Sequence, residues 1–197
     1  MLSLQDLLGQ EQGNDAVNQI SQTLGANPTT TSNAIQMALP MILGALAKNA
    51  SNPQGAESLS NTLQKNHDGS ILDGLGGYIN QPNTDEGLGI LGHIFGQKQG
   101  AAAQQVSQNS GLDMGQVAQL LITLAPIVMG YLGRKKQQEN LDAGGLSEVL
   151  QGQQQQIQSS GNPMIDMLSN YLDSNQDGSS MDDLASIAAN YMQKNAR

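Results

Sequence analysis

Apolar residues recur along this chain at helical spacing. Leu4, Leu7 and Leu8 open it as a short amphipathic helix. After the turn-like Asn27-Pro28-Thr29, a main helix carries Ile35, Ala38, Leu39, Ile42, Leu43 and Leu46 on one face. A second such helix carries Val117, Leu120, Leu121, Leu124, Val128, Tyr131 and Leu132 and is apolar nearly all round, the pattern of the most buried element. Between them, Thr84-Asp85-Glu86 is placed to cap a helix bearing Leu88, Leu91, Ile94 and Phe95. Near the end, Asn162-Pro163 starts a helix with Ile165, Leu168 and Leu172. A last helix, from about Ser180 toward Lys194, bears Leu184, Ile187, Ala188 and Tyr191. No stretch alternates as a strand does.

Pro40 and Pro126 fall inside the two main helical patterns. A mid-helix proline removes a hydrogen bond and clashes one turn back, so both helices are expected to kink. Gly44 and Gly130 follow one turn later and admit a neighbouring backbone. The expectation is that the two kinked helices pack on each other near a pseudo-twofold axis. A fixed bend is favoured over a hinge or a ligand-lining break.

The chain also repeats itself. ISQTLG at Ile20–Gly25 matches VSQNSG at Val106–Gly111, and ALPMILGAL at Ala38–Leu46 matches LAPIVMGYL at Leu124–Leu132, both 86 residues apart. LSNTLQKNHDGSILDGL (Leu59–Leu75) matches LSNYLDSNQDGSSMDDL (Leu168–Leu184), 109 residues apart, with ten of 17 positions identical. Two matches in the same order argue for an internal duplication. The change of offset places an insertion near 137–166, where AGGLSEVLQGQQQQIQSSG suggests an extra helix and a flexible link. The expected architecture is therefore all-α. It is a helical bundle of two diverged internal repeats, 1–100 and 101–197, with proline-kinked central helices, packed as one globular unit.

Composition narrows the function. The formal charge of −9 repels phosphate backbones, and the five aromatic residues give few stacking platforms, so nucleic-acid binding is not expected. There is no cysteine, which excludes disulfides, thiolate chemistry and Cys-based zinc sites. The N-terminus lacks a basic start and an apolar core, unlike a secretory signal. The apolar run Leu120–Leu132 is shorter than the about 20 residues that span a bilayer. Cytoplasmic location and no membrane role are the expectations.

One loop carries candidate chemistry. Asp173-Ser-Asn175-Gln-Asp177-Gly178 matches the opening of an EF-hand calcium loop, in which alternate oxygen side chains converge on a hard cation. From Glu139 to Asp183 there are eight acids and no Lys or Arg. The match then departs: Leu184 stands where a bidentate acid belongs, and Asp182 and Asp183 come too early. The competing reading is a capped turn, with Ser179 capping the next helix and Asp182 three residues on. The first copy has the same arrangement at Ser70 and Asp73, but Gln64, Asn66 and Asp68 supply a single acid there. A capped turn accounts for both copies, calcium only for the second, so the turn is preferred and calcium stays as the alternative.

Other signals are weaker. His67 lies in the first-copy loop. His93, in LGHIFG, reads as a hydrogen-bonded helix residue, and two histidines without Cys or HExxH make no zinc site. Gly74, Gly76 and Gly77 suggest tight helix packing, and Arg134-Lys135-Lys136 complements a helix C-terminus. No nucleophile elbow, Walker or dinucleotide fingerprint occurs.

The stretch GILGHIFGQKQGAAAQQVSQNSGLDMGQVAQLLITLAPIVMGYLGRKK, Gly89–Lys136, resembles a large bacterial family of uncharacterised proteins, YidB-like in its broadest grouping. The HIFG motif, the SGL turn and the LAPIVMG helix carry the likeness, together with LLGQEQGNDAVNQISQTLG near the start and the Asp-Gly-Ser loops. The resemblance implies a helical bacterial protein and no particular activity. With no catalytic constellation in view, the expected function is that of a non-enzymatic interaction or structural protein, with a protein partner or self-association. The alternative is a calcium-responsive binding protein using Asp173, Asn175, Asp177, Asp182 and Asp183.

Overall fold

A computed structural model describes residues 3–159. The described chain is helical throughout, with no strand among the described residues. In order come α1 (Leu4–Leu8), α2 (Gln10–Leu24), α3 (Pro28–Asn49) and α4 (Pro53–Asn66). A 3-10 turn, Ser70–Leu72, leads to α5 (Leu75–Asn80) and α6 (Thr84–Phe95). A second 3-10 turn, Gly96–Lys98, leads to α7 (Gln99–Ser110), α8 (Met114–Gln138) and α9 (Ala143–Ser159).

Short polar side chains set the helix starts. Asn27 accepts from the Thr29 amide and Asn52 from the Gly55 amide, each followed by a proline at the first helical position. Ser3 with Asp6, and Asp113 with Gln116, form reciprocal capping boxes. The cap of α6 is Asn83, whose side chain accepts from the Glu86 amide. The expected Thr84 cap is thus displaced by one residue, because Asn83 has the extended backbone a cap needs and Thr84 is already helical. Two helices end alike: α2 at Gly25 and α7 at Gly111, both left-handed.

The core draws on every helix. Ile35, Ala38, Leu39, Ile42, Leu43 and Leu46 of α3 are buried, as are Val117, Leu120, Leu121, Leu124, Val128 and Leu132 of α8. The two helices touch, and each continues through its internal proline, with Pro40 and Pro126 both buried. Their glycines differ. A Cβ on Gly130 would lie 2.3 Å from Ile71 Cγ2, whereas one on Gly44 meets nothing within 4 Å among the described residues. Gly130 therefore faces the 70–72 turn rather than α3. The segment read as an insertion forms α9, which lies on α3 and α4 through the buried Leu146 and Leu150.

Of the described helices, α8 is long and apolar enough to cross a bilayer by length and composition, where the apolar run alone had suggested a shorter element. Within the fold, 67% of its most apolar stretch is buried, so neighbouring helices cover most of that surface.

Candidate functional site

The turn after α4 is held from three sides. Asp68 Oδ1 accepts from the Ser70 amide at 3.0 Å and closes the turn. That bond holds the Asp68 carboxyl below the usual carboxylate range. Gly69 has φ 98°, a left-handed conformation that glycine adopts without strain. The segment then lies directly on α8: a Cβ on Gly133 would sit 1.6 Å from the His67 carbonyl oxygen. From the same helix, Arg134 Nη2 donates to the Gly69 carbonyl at 2.8 Å and to Asp73 Oδ1 at 2.5 Å. Gln137 Nε2 donates to the Asp68 carbonyl at 3.0 Å. On the far side, Gln12 Nε2 of α2 reaches the Leu72 carbonyl at 2.9 Å.

This corrects the expected cap. Asp68, not Ser70, supplies the side-chain acceptor, and Asp73 faces Arg134 rather than the amide of a cap. The physical reason is the following element: a three-residue 3-10 turn has no long row of amides to cap.

Behind the turn, a cleft of about 310 Å³ is lined by Asn66, His67, Asp68, Tyr78, Asn83 and Glu86, among others. His67 is buried, with Nδ1 3.4 Å from Glu86 Oε1. Burial pushes its pKa down against the opposing pull of Glu86, so the imidazole is neutral at physiological pH. Burial, aided by the Glu86 charge, raises Tyr78 well above the ordinary phenol range. The Tyr78 hydroxyl is buried without a hydrogen-bond partner among the described residues. The cleft thus offers one imidazole held by one carboxylate beside a protonated phenol. Among the described residues, no group of three or more His, Cys, Asp or Glu is placed to hold a metal ion.

Asp173, Asn175, Asp177, Asp182 and Asp183, the candidate calcium ligands, lie outside the described residues. His93 is exposed on α6. Gly76 and Gly77 lie in α5, with Gly74 just before it; a Cβ on Gly76 would lie 3.1 Å from Gln19 Oε1, while one on Gly74 or Gly77 meets nothing within 4 Å among the described residues. In the basic run, Lys135 Nζ pairs with Glu139 one turn on at 2.6 Å, which raises its pKa. Arg134 instead reaches the turn. The grouping of His67, Tyr78 and Glu86 is not a motif, because three separate elements bring them together. The one sequence hint was a histidine beside an Asp-Gly turn.

Residues 6–135 match DUF937, a family of bacterial proteins of unknown function, and the chain belongs to it. No curated protein and no solved structure matches the chain.

Proposed function

We propose that this member of a bacterial family of unknown function is a non-enzymatic helical scaffold, built from two diverged repeats with proline-bent central helices and packed as one unit. In this reading it acts in the cytoplasm by binding a protein partner or a second copy of itself, without a cofactor and without nucleic acid or membrane. The observation that carries the reading is where its polar side chains go. Arg134, Gln137 and Gln12 bind the carbonyls of the 68–72 turn. Gln116 binds the Leu24 carbonyl, Asn49 that of Ile94 and Ser147 that of Ala50. These groups lock loops and helix ends to distant helices. Such bonds fix a shape, which is what a binding scaffold requires.

The duplication is supported by the shared order of α2–Gly25–α3 and α7–Gly111–α8, with caps at Asn27 and Asp113, 86 residues apart like the sequence match. The net charge of −9 argues against nucleic acid. The largely covered surface of α8 argues against a membrane role.

Substitution in the cleft tests the reading. Active-site residues are commonly held at a cost in stability, so replacing them often stabilises a protein. For a scaffold, His67→Ala and Glu86→Gln each leave Tm unchanged or lower it, because no strained catalytic arrangement is relieved; Tyr78→Phe does not discriminate, since removing its unpartnered buried hydroxyl should raise Tm on either reading. A clear rise in Tm on both would identify the cleft as a catalytic site and overturn the scaffold reading.

The alternative is a calcium-responsive protein, supported by the run Asp173-Ser-Asn175-Gln-Asp177-Gly178. Calorimetric titration with calcium separates the two. The scaffold reading expects no heat of binding. Heat that disappears in Asp173→Ala/Asp177→Ala would favour the calcium reading.

A further inference from the structure

We infer that the cleft behind the 67–73 turn is a docking pocket for an arginine side chain of a protein partner. The inference deepens the scaffold reading and rests on it, since it says where such a scaffold holds what it binds. Three elements build the pocket. His67 closes the end of α4, Tyr78 comes from α5, and Glu86 comes from the first turn of α6. Arg134, Gln137 and Gln12 fix the carbonyls of the 68–72 turn. The wall that carries His67 is therefore set before any ligand arrives, which lowers the cost of binding.

The pocket is graded from floor to rim. His67 is only 7% exposed, and the Tyr78 hydroxyl oxygen is buried with no hydrogen-bond partner among the described residues. Glu86 is half-buried, and Asn66, Asp68 and Gln81 form an exposed rim. A buried hydroxyl without a partner is costly, and a ligand donor that reaches it removes that cost. Glu86 acts electrostatically on both His67 and Tyr78, so all three lie within reach of one bound group.

The charges choose the ligand. The lining holds two carboxylates, Asp68 and Glu86, and no Lys or Arg. An anion is repelled. A metal ion lacks ligands, since among the described residues no three His, Cys, Asp or Glu are grouped to hold one. An organic cation remains. A guanidinium suits the site better than an ammonium, because it is planar, weakly hydrated and carries several N–H donors in fixed directions. One edge donates to the Glu86 carboxylate while another N–H reaches the Tyr78 oxygen. The volume of about 310 Å³ lies at the small end for ligand pockets and fits one side chain.

The rim points to a peptide as the bearer. Asn66 and Gln81 bring carboxamides there, and these pair with main-chain N–H and C=O groups. A basic partner is drawn by the net charge of −9. The chain's own arginines are Arg134 and Arg197. Arg134 is already engaged by the Gly69 carbonyl and Asp73, so it does not fill the pocket of a second copy. Glu86 already faces His67, so the pocket holds its charge without strain. The Tm expectations given above for His67→Ala and Glu86→Gln therefore stand.

Titration of the isotope-labelled full chain with acetyl-Gly-Arg-Gly-amide, followed by amide NMR shifts, tests this. The same peptide with lysine, or with citrulline as the uncharged mimic of arginine, is run beside it. The expected result is saturable shifts centred on residues 66–71, 78 and 86 with the arginine peptide, weaker binding of lysine and none of citrulline. Glu86→Gln should weaken binding about tenfold or more. Glu57→Gln, which removes the same charge from an exposed position on α4, should not. Tyr78→Phe should weaken binding while raising Tm, a split that a purely structural residue does not give. No saturable shift at millimolar peptide overturns the inference, as does an equal response to lysine or citrulline. Equal losses in Glu57→Gln and Glu86→Gln overturn it too, by showing diffuse attraction to an acidic surface. Methylguanidine binding as tightly as the peptide would assign the pocket to a small molecule, and self-association abolished by Arg197→Ala would place a second copy there; either overturns the partner inferred. All of these leave the scaffold reading standing, since the Tm values of the cleft variants test it separately. Should Glu86→Gln not fold, Tyr78→Phe decides, and undiminished binding in that variant overturns the inference.

Discussion

At the scale of single residues, glycine contacts sort the chain more sharply than hydrophobicity does. Gly133 has no room for a side chain, because a methyl group would meet the His67 carbonyl at 1.6 Å. Gly133→Ala should therefore displace the whole turn, at the about 1–3 kcal/mol typical of overpacking. Thermal melts should show Tm lower by several degrees; an unchanged Tm would mean the turn does not sit on α8. Gly89, exposed within α6, where a Cβ would meet nothing within 4 Å among the described residues, gives the opposite expectation. Gly89→Ala should stabilise by about 0.5–1 kcal/mol through lost freedom in the unfolded chain. His67 adds a dependence on pH. Its folded pKa lies below the ordinary value of 6.5, so the unfolded chain takes up its proton first. The contribution of this neutral imidazole is complete above about pH 6.5 and declines as pH falls toward the folded pKa. Denaturant midpoints should drop over that range in the wild type and less steeply in His67→Gln. Equal slopes would show that His67 is not the group responsible. None of these roles was legible in advance. The sequence marks His67 only as a loop residue, and it cannot say that Gly133 meets a carbonyl while a Cβ on Gly89 would meet nothing within 4 Å among the described residues.

At the scale of elements, much more was readable. The positions that recur at 3.6-residue spacing in α3 and α8 are buried, apart from the half-buried Tyr131, because burial of an apolar stripe holds a helix in place. The Asn27-Pro28 start and the extra helix after residue 142 also lie where the pattern puts them. The errors lie at ends and turns, where one hydrogen bond decides the outcome. Asn83 rather than Thr84 caps α6, and Asp68 rather than Ser70 closes the 3-10 turn. In both cases several polar residues stood in a row, and only backbone conformation selects among them. The docking of the turn on α8 was not legible at all, since it joins segments more than sixty residues apart. Its energetic centre is Arg134. Asp73 is 76% exposed, so the ion pair contributes little, while the bond to the Gly69 carbonyl is partly buried. Arg134→Met should cost on the order of 1 kcal/mol, with much of the side chain's apolar packing retained. Amides of residues 67–73 should then exchange faster, with those of α8 little changed. Uniform loss of protection would point to global destabilisation instead.

At the scale of the molecule, the two halves are joined by contacts that cross between them. α3 lies against α7 and α8, α4 and α6 lie against α8, and the Gln116 side chain ties α8 to the end of α2. A boundary near residue 100 falls in the first turn of α7, a helix with buried residues on the common core. This arrangement should behave as one cooperative unit, although its sequence reads as two. Scanning calorimetry of the full chain, wild type and Gly133→Ala, tests that claim most directly. The account predicts a single transition with equal calorimetric and van't Hoff enthalpies, moved down as a whole by the substitution. Two transitions, only one of them shifted, would show that the halves fold separately and would contradict the interlocked scaffold.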